Sequence, residues 1–177
     1  MRKVAVVVGV GVLALAGCSS GSSSPGGSMT VTTAPVTPAM TMTAGLYVET
    51  AASAALLAIA AADLAEQRSS DPQLRALAAR QKDNAEGISG QLSYAGRRVD
   101  ALPSNTLIRE HQAMLDQLQN AADFDAAYVR MQQQLVPQVR AFHEDYAVRG
   151  GSATLRPVAE FSAEKLAEQE AVVEAID

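Results

Sequence analysis

Leu74-Arg75-Ala76-Leu77-Ala78-Ala79-Arg80-Gln81-Lys82-Asp83-Asn84-Ala85-Glu86-Gly87-Ile88 is the stretch whose reading decides the fold. From Leu74 onward one set of positions recurs at alternating spacings of three and four: Leu74, Ala78, Gln81, Ala85, Ile88, Leu92, Ala95 and Val99. That period is a single stripe along an α-helix. Ser69-Ser70-Asp71-Pro72 stands just ahead of it, a capping residue followed by proline at the first helical position, where the missing N–H is not needed.

The same reading extends in both directions. Upstream, a helix is expected from about Leu46 to Gln67, with an alanine-rich stretch between Thr50 and Asp63. That stretch is about a dozen residues and ends in charges, so it reads as a buried bundle helix and not as a span of a bilayer, which needs about 20 apolar residues. Downstream, Leu102-Pro103-Ser104-Asn105 breaks the chain. A shorter helix carries Ile108, His111, Leu115 and Leu118 on one face. The next begins near Asp123 and carries Phe124, Tyr128, Met131, Leu135, Val139, Phe142 and Tyr146; Pro137 inside it is expected to kink it. Gly150-Gly151 ends that helix in the place where an αL residue is favoured. A final helix carries Leu155, Val158, Ser162, Leu166, Gln169, Val173 and Ile176. No run shows the period of a strand. Narrow stripes on long helices joined by short connections pack as antiparallel neighbours. The fold expected is all-α, a ferritin-like four-helix bundle with one additional short helix.

The chain before the bundle is of two other kinds. Arg2 and Lys3 precede an unbroken apolar and glycine run from Val4 to Ala14, too short to cross a bilayer. Leu15-Ala16-Gly17-Cys18 then closes the segment as a lipobox, so residues 1–17 read as a cleavable export signal. A cysteine directly after the cut resembles the bacterial lipoprotein signal, in which the thiol receives a diacylglyceryl group. Cys18 is the single cysteine of the chain, so no internal disulfide is available once it is acylated. Each buried methylene of such an anchor contributes roughly 0.8 kcal/mol, so two or three chains hold stably. Residues 18–45 are Ser, Thr, Gly, Pro and Met with no charged residue. Such a stretch cannot bury enough apolar surface to offset its ordering entropy and reads as a disordered tether, spanning roughly 30 Å. The folded domain is then residues 46–177. The expected location is the cell envelope outside the cytoplasm, with the membrane as first partner through Cys18. Ser19, in place of a retention aspartate, points to the periplasmic side of the outer membrane where the cell has one.

Phe124-Asp125-Ala126-Ala127-Tyr128, after a short helix with His111, resembles the Phe-Asp-x-x-Tyr signature of the bacterial envelope proteins called domain of unknown function 4142. The Asp71-Pro72 opening and the Leu77-Ala78-Ala79-Arg80-Gln81-Lys82-Asp83 run are similar to that family's second helix. The resemblance covers Tyr47 to Ile176 and implies a ferritin-like bundle, exported and often membrane-attached, with no settled activity. The departures are specific. Where members carry Asp-His on the second helix, this chain has Asp83-Asn84. The histidine expected about two turns after the signature tyrosine falls at Val136 or Pro137. A Leu-Pro pair followed by histidine is replaced by Ala163 to Glu170, and a first-helix glutamate falls near Ala58. No site is carried over from the family.

The remaining chemistry is sparse. Ferritin-like di-iron centres need Glu-x-x-His on two helices, and none occurs here. The adjacent pairs Glu110-His111 and His143-Glu144 diverge by about 100° around a helix. His111 on its apolar stripe reads as a hydrogen-bonded core histidine, and His143 as a residue of the core boundary; the two are the weak candidates for a metal, and no cofactor is expected. Glu160, Glu164 and Glu168 at intervals of four, with Glu170 and Glu174, read as a solvated face. Thioethers suit Cu(I), so Met40-x-Met42 is a conceivable copper contact, against the plainer reading of linker methionines. No phosphate-cradling glycine loop, thiol nucleophile or serine elbow is present, and no enzymatic activity is expected. Without residues 1–17, 12 basic residues face 19 acidic ones, a net charge of −7 that excludes a nucleic-acid footprint. The reading is a membrane-anchored, non-catalytic interaction module for an envelope protein or cell-wall polymer. The alternatives are a metal-binding or redox bundle, and a carrier of a small apolar ligand between helices rich in Ala54, Ala58 and Ala61.

Overall fold

A computed structural model describes residues 41–176. Among these it contains five helices and no strand: α1 (Ala44–Arg68), α2 (Pro72–Gly96), α3 (Arg109–Gln119), α4 (Phe124–Arg149) and α5 (Arg156–Glu174). The signal segment, Cys18 and the tether up to Met40 lie outside the described residues.

Each start is set by local chemistry. Thr43 caps α1, its Oγ1 accepting from the Leu46 N–H at 3.3 Å. Asp71 caps α2 by accepting from Gln73 N–H at 2.7 Å, with Pro72 just inside. Asp123 caps α4, accepting from Ala126 N–H at 3.1 Å. These bonds satisfy amide donors that a helix start otherwise leaves free. The first helix begins two residues before the expected Leu46. Met42 is half-buried against the core and its C=O accepts from Gly151 N–H at 3.2 Å, so the last residues assigned to the tether belong to the domain.

α1 packs on α2 and α4 packs on α5, each as an antiparallel pair with a short connection. α2 against α5 and α1 against α4 close the four-helix bundle. The crossover from α2 to α4 carries α3, which lies on α1 and α4. This is the ferritin-like arrangement of two hairpins and one long crossover. α1 is long and apolar enough to cross a membrane by composition, but half of its most apolar window is buried against the other helices. Its alanines let neighbouring backbones approach, and Ala61, Ala62 and Ala65 are fully buried. Lys82 Nζ meets Asp63 Oδ1 at 2.6 Å between α1 and α2, and Arg140 Nε meets Glu170 Oε2 at 2.7 Å between α4 and α5.

Two details depart from the sequence reading. α2 ends at Gly96, so Val99 lies in the turn beyond it; the left-handed residue there is Asp100 (φ 52°), and Ala101 N–H returns to Gly96 C=O at 3.0 Å. Gly150 does not adopt the left-handed conformation; its φ and ψ are −60° and 144°. Glycine is needed there for space, because a Cβ would meet the Tyr146 ring and carbonyl at 2.5 Å. Pro137 lies inside α4, as the sequence places it.

Candidate functional site: an amide-lined cavity and two buried histidines

The bundle centre is unusually polar. Gln81, Gln132 and Gln169 are at most 2% exposed, one each on α2, α4 and α5. The spacings of Gln81 and Gln169 place them on the apolar stripes, whose packing carries these amides inward, and Gln132 joins them next to Met131 of the α4 stripe. Tyr128 donates its hydroxyl to Gln81 Oε1 at 2.5 Å, and Gln81 Nε2 donates to the Ala58 carbonyl at 3.0 Å. Asn84 Nδ2 donates to Gln169 Oε1 at 3.3 Å, and Gln169 Nε2 donates to Gln132 Oε1 at 3.4 Å. The chain of bonds stops there. Gln132 Nε2 is buried with no partner.

These amides line a cavity of about 30 Å³, shared with Ala54, Ala58, Ile88 and Leu166. That volume accommodates about one water molecule and no organic ligand. Ala54 also borders a second cavity of about 160 Å³, lined with His111, Leu135, Val139 and Phe142. A neutral amide set offers hydrogen-bond donors and acceptors but no titratable group, so its chemistry is binding and not proton transfer.

The two histidines lie elsewhere and apart. His111 Nδ1 is 2.7 Å from Ser53 Oγ, which also accepts from Ile108 N–H at 2.9 Å at the start of α3. The Ser53 hydroxyl thus serves two partners at once, the His111 ring and the Ile108 amide. The pair is a staple between α1 and α3, without a carboxylate to orient the imidazole. His143 Nδ1 is 2.9 Å from the Tyr47 hydroxyl. At 1% exposure His143 sits in the core, not at its boundary, because α4 turns it and not Phe142 fully inward. Burial lowers both imidazole pKa values, that of His143 to about 4, so both are neutral at pH 7. Burial also raises the Tyr47 hydroxyl, with the nearby Tyr146 adding to the effect.

Cys18 and Met40 lie outside the described residues, and Met42 packs on the core. Glu160, Glu164 and Glu168 are exposed, as a solvated face requires, while Glu170 pairs with Arg140. Among the described residues no three His, Cys, Asp or Glu side chains cluster as a metal site would require. Tyr47, Ser53 and Gln132 escaped the sequence reading as site residues. The first two sit in an apolar helix with nothing local to mark them, and Gln132 is one of three consecutive glutamines that only the packing distinguishes.

The model of the family described as Domain of unknown function (DUF4142) matches residues 29–176. The chain belongs to this family. The signature Phe124-Asp125-x-x-Tyr128 of this DUF4142 domain has a structural role. Arg68 lies 4.6 Å above the Phe124 ring and donates to the Gln119 and Ala121 carbonyls at 2.7 and 3.0 Å, closing the end of α3. Tyr128 reaches Gln81, joining the two motifs that carried the resemblance. The positions at which the family's polar side chains were expected, Ala58, Asn84 and Val136, all face the amide cavity, and Gln169 joins them from the stretch Ala163 to Glu170. Pro137 lines a separate surface groove. The DUF4142 domain is also similar in fold to a solved structure of CopM in the Cu(II)-bound form, with a TM-score of 0.64 and 16% identity over 77% of this chain and 96% of that one. No curated protein matches.

Proposed function

We propose that the protein is a lipid-anchored, non-catalytic helical module of the bacterial envelope, tethered through Cys18, that binds another envelope component, protein or cell-wall polymer. One observation carries the non-catalytic part. The bundle centre, where a ferritin-like protein places its reactive groups, holds Ala58, Asn84, Val136, Gln132 and Gln169. None of these side chains is acidic, basic or nucleophilic. The lipobox Leu15-Ala16-Gly17-Cys18 supports the anchor. Two experiments test the reading. Labelled palmitate should enter the wild-type protein and not the Cys18→Ser variant. Crosslinking in intact cells should enrich a partner over a control limited to the tether; enrichment of nothing beyond that control sinks the binding role.

A second reading, copper binding, is favoured by the fold likeness to CopM in its Cu(II)-bound form. The cavity does not fit that ion: Cu(II) takes imidazole and charged oxygen, whereas this set is neutral amide. His111 and His143 each have Nδ1 engaged, by Ser53 and Tyr47. Elemental analysis of protein purified without an affinity metal decides between the two. Near-stoichiometric copper that is lost in His111→Ala or His143→Ala replaces the first reading with the second.

A further inference from the structure

Among the described residues the large hydrophobic side chains left exposed are Leu46, Tyr94, Leu102 and Val148, at 53, 58, 68 and 77% exposure. They come from the first turn of α1, the last turn of α2, the loop after it and the last turn of α4. The topology gathers all four at one end of the bundle. Their chain neighbours Tyr47, Ala95, Ala101 and Ala147 meet in one core cluster. Gly151 N–H bonds the Met42 carbonyl at 3.2 Å, which holds the α4–α5 turn against the residues preceding α1.

Charge follows the same axis. This end carries the exposed Arg97, Arg98, Arg149 and Arg156 at its tip, with the exposed Asp100 beside them and Glu49 and Glu160 about one turn further in; Arg149 is also paired to Asp145. The Arg98 guanidinium rests 4.3 Å over the Tyr94 ring, which sets a cation beside an amphipathic aromatic. The far end carries the exposed Glu66, Asp71, Asp116, Asp123 and Glu174, against Arg68 and Arg75. Four of the eleven arginines of the chain thus stand at the first tip. Thr41 lies at that tip too, and Cys18 precedes it by 23 residues.

We propose that this end is a membrane-docking face for anionic phospholipid. The arginines donate to headgroup phosphates, and Leu46, Tyr94, Leu102 and Val148 seat in the interfacial layer, where aromatic and aliphatic side chains with basic neighbours are favoured. The bundle then stands on its basic end with the acidic end away from the bilayer. Proximity to the membrane rests on the Cys18 anchor proposed above, whereas the docking chemistry is independent of acylation.

The test uses the chain from residue 18 onward carrying Cys18→Ser, so that no lipid assists. It should cosediment with vesicles of phosphatidylcholine and phosphatidylglycerol, far less with phosphatidylcholine alone, and should release as salt rises. Arg97→Gln with Arg98→Gln should weaken binding about 25-fold, at about fivefold per arginine near an anionic surface. Leu102→Ser with Val148→Ser should weaken it further at high salt. Arg75→Gln with Arg80→Gln, exposed on the far half of α2, should leave it unchanged. All these side chains are exposed, and far-UV dichroism with a thermal melt confirms the fold of each variant. Absence of binding to the anionic vesicles overturns the docking face, as does an equal loss from the Arg75/Arg80 pair. Palmitate labelling judges the anchor separately: acylation without vesicle binding sinks the docking face alone, and vesicle binding without acylation sinks the anchor alone.

Discussion

Tyr47 of α1 and His143 of α4 share a hydrogen bond of 2.9 Å in the buried core, Tyr47 fully buried and His143 almost so. Tyr47 is also stacked on Tyr146 at 3.7 Å between centroids, so one side chain joins the first and fourth helices by both contacts. Tyr47→Phe keeps the stacking and leaves a buried Nδ1 without its hydrogen-bond partner. A loss of about 1–3 kcal/mol is expected, read by urea denaturation.

The same imidazole makes stability depend on pH. Its pKa is near 4 when folded and about 6.5 when unfolded, so the unfolded chain binds the extra proton first on acidification. The stabilisation is complete above about pH 6.5 and is lost as the pH falls towards 4, to a limit of about 3 kcal/mol. His111, also lowered by burial, adds in the same direction. Denaturation midpoints at pH 7 and pH 5 should differ clearly in the wild type and less in His143→Leu. Equal slopes in the two proteins would contradict the assignment.

Ser53 holds the start of α3 to α1, since its hydroxyl serves both His111 and the Ile108 N–H. Ser53→Ala leaves two buried polar groups without their partner and should cost about 2 kcal/mol. Hydrogen exchange should accelerate in α3 before it does in α2 or α5.

In the cavity, Gln132 and Gln169 are coupled through a bond of 3.4 Å. Gln132→Leu alone strands Gln169 Nε2 and should cost about 1–2 kcal/mol. Adding Gln169→Leu removes the stranded group, so the double variant should melt above the sum of the singles. Strict additivity would mean that the amides do not interact.

The glycines separate by environment. Gly150→Ala drives a methyl into Tyr146, which cannot yield because it is stacked on Tyr47, and about 1–3 kcal/mol should be lost. Gly87→Ala and Gly90→Ala meet nothing within 4 Å on exposed helix surface and should each gain about 0.5–1 kcal/mol. Thermal melts of the three variants check both signs.

What could be read directly was whatever depends on neighbours in the chain. The stripe from Leu74 to Ala95, the Asp71-Pro72 start and the aspartate before Phe124 are local signals, and the helices stand where these placed them. The all-α bundle with its short extra helix followed, because such stripes must face one another. Limits of elements were less legible. Val99 fits the helical period of α2, yet the backbone turns at Gly96, where close approach to Ala101 admits no side chain.

The sequence by itself determined the helical class, the bundle and its family, since periodicity and caps act over a few residues. Tertiary structure alone decided the partners of buried polar groups. Nothing near His143 indicates that Tyr47, 96 positions away, will hydrogen-bond to it. Nor does a run of three glutamines reveal that Gln132 turns inward to meet Gln169. Those choices depend on how helices rotate and cross, which is set by the packing of the whole core at once. The gathering of Leu46, Tyr94, Leu102 and Val148 with the arginines at one tip has the same origin, because residues up to 102 positions apart become neighbours only when the hairpins close.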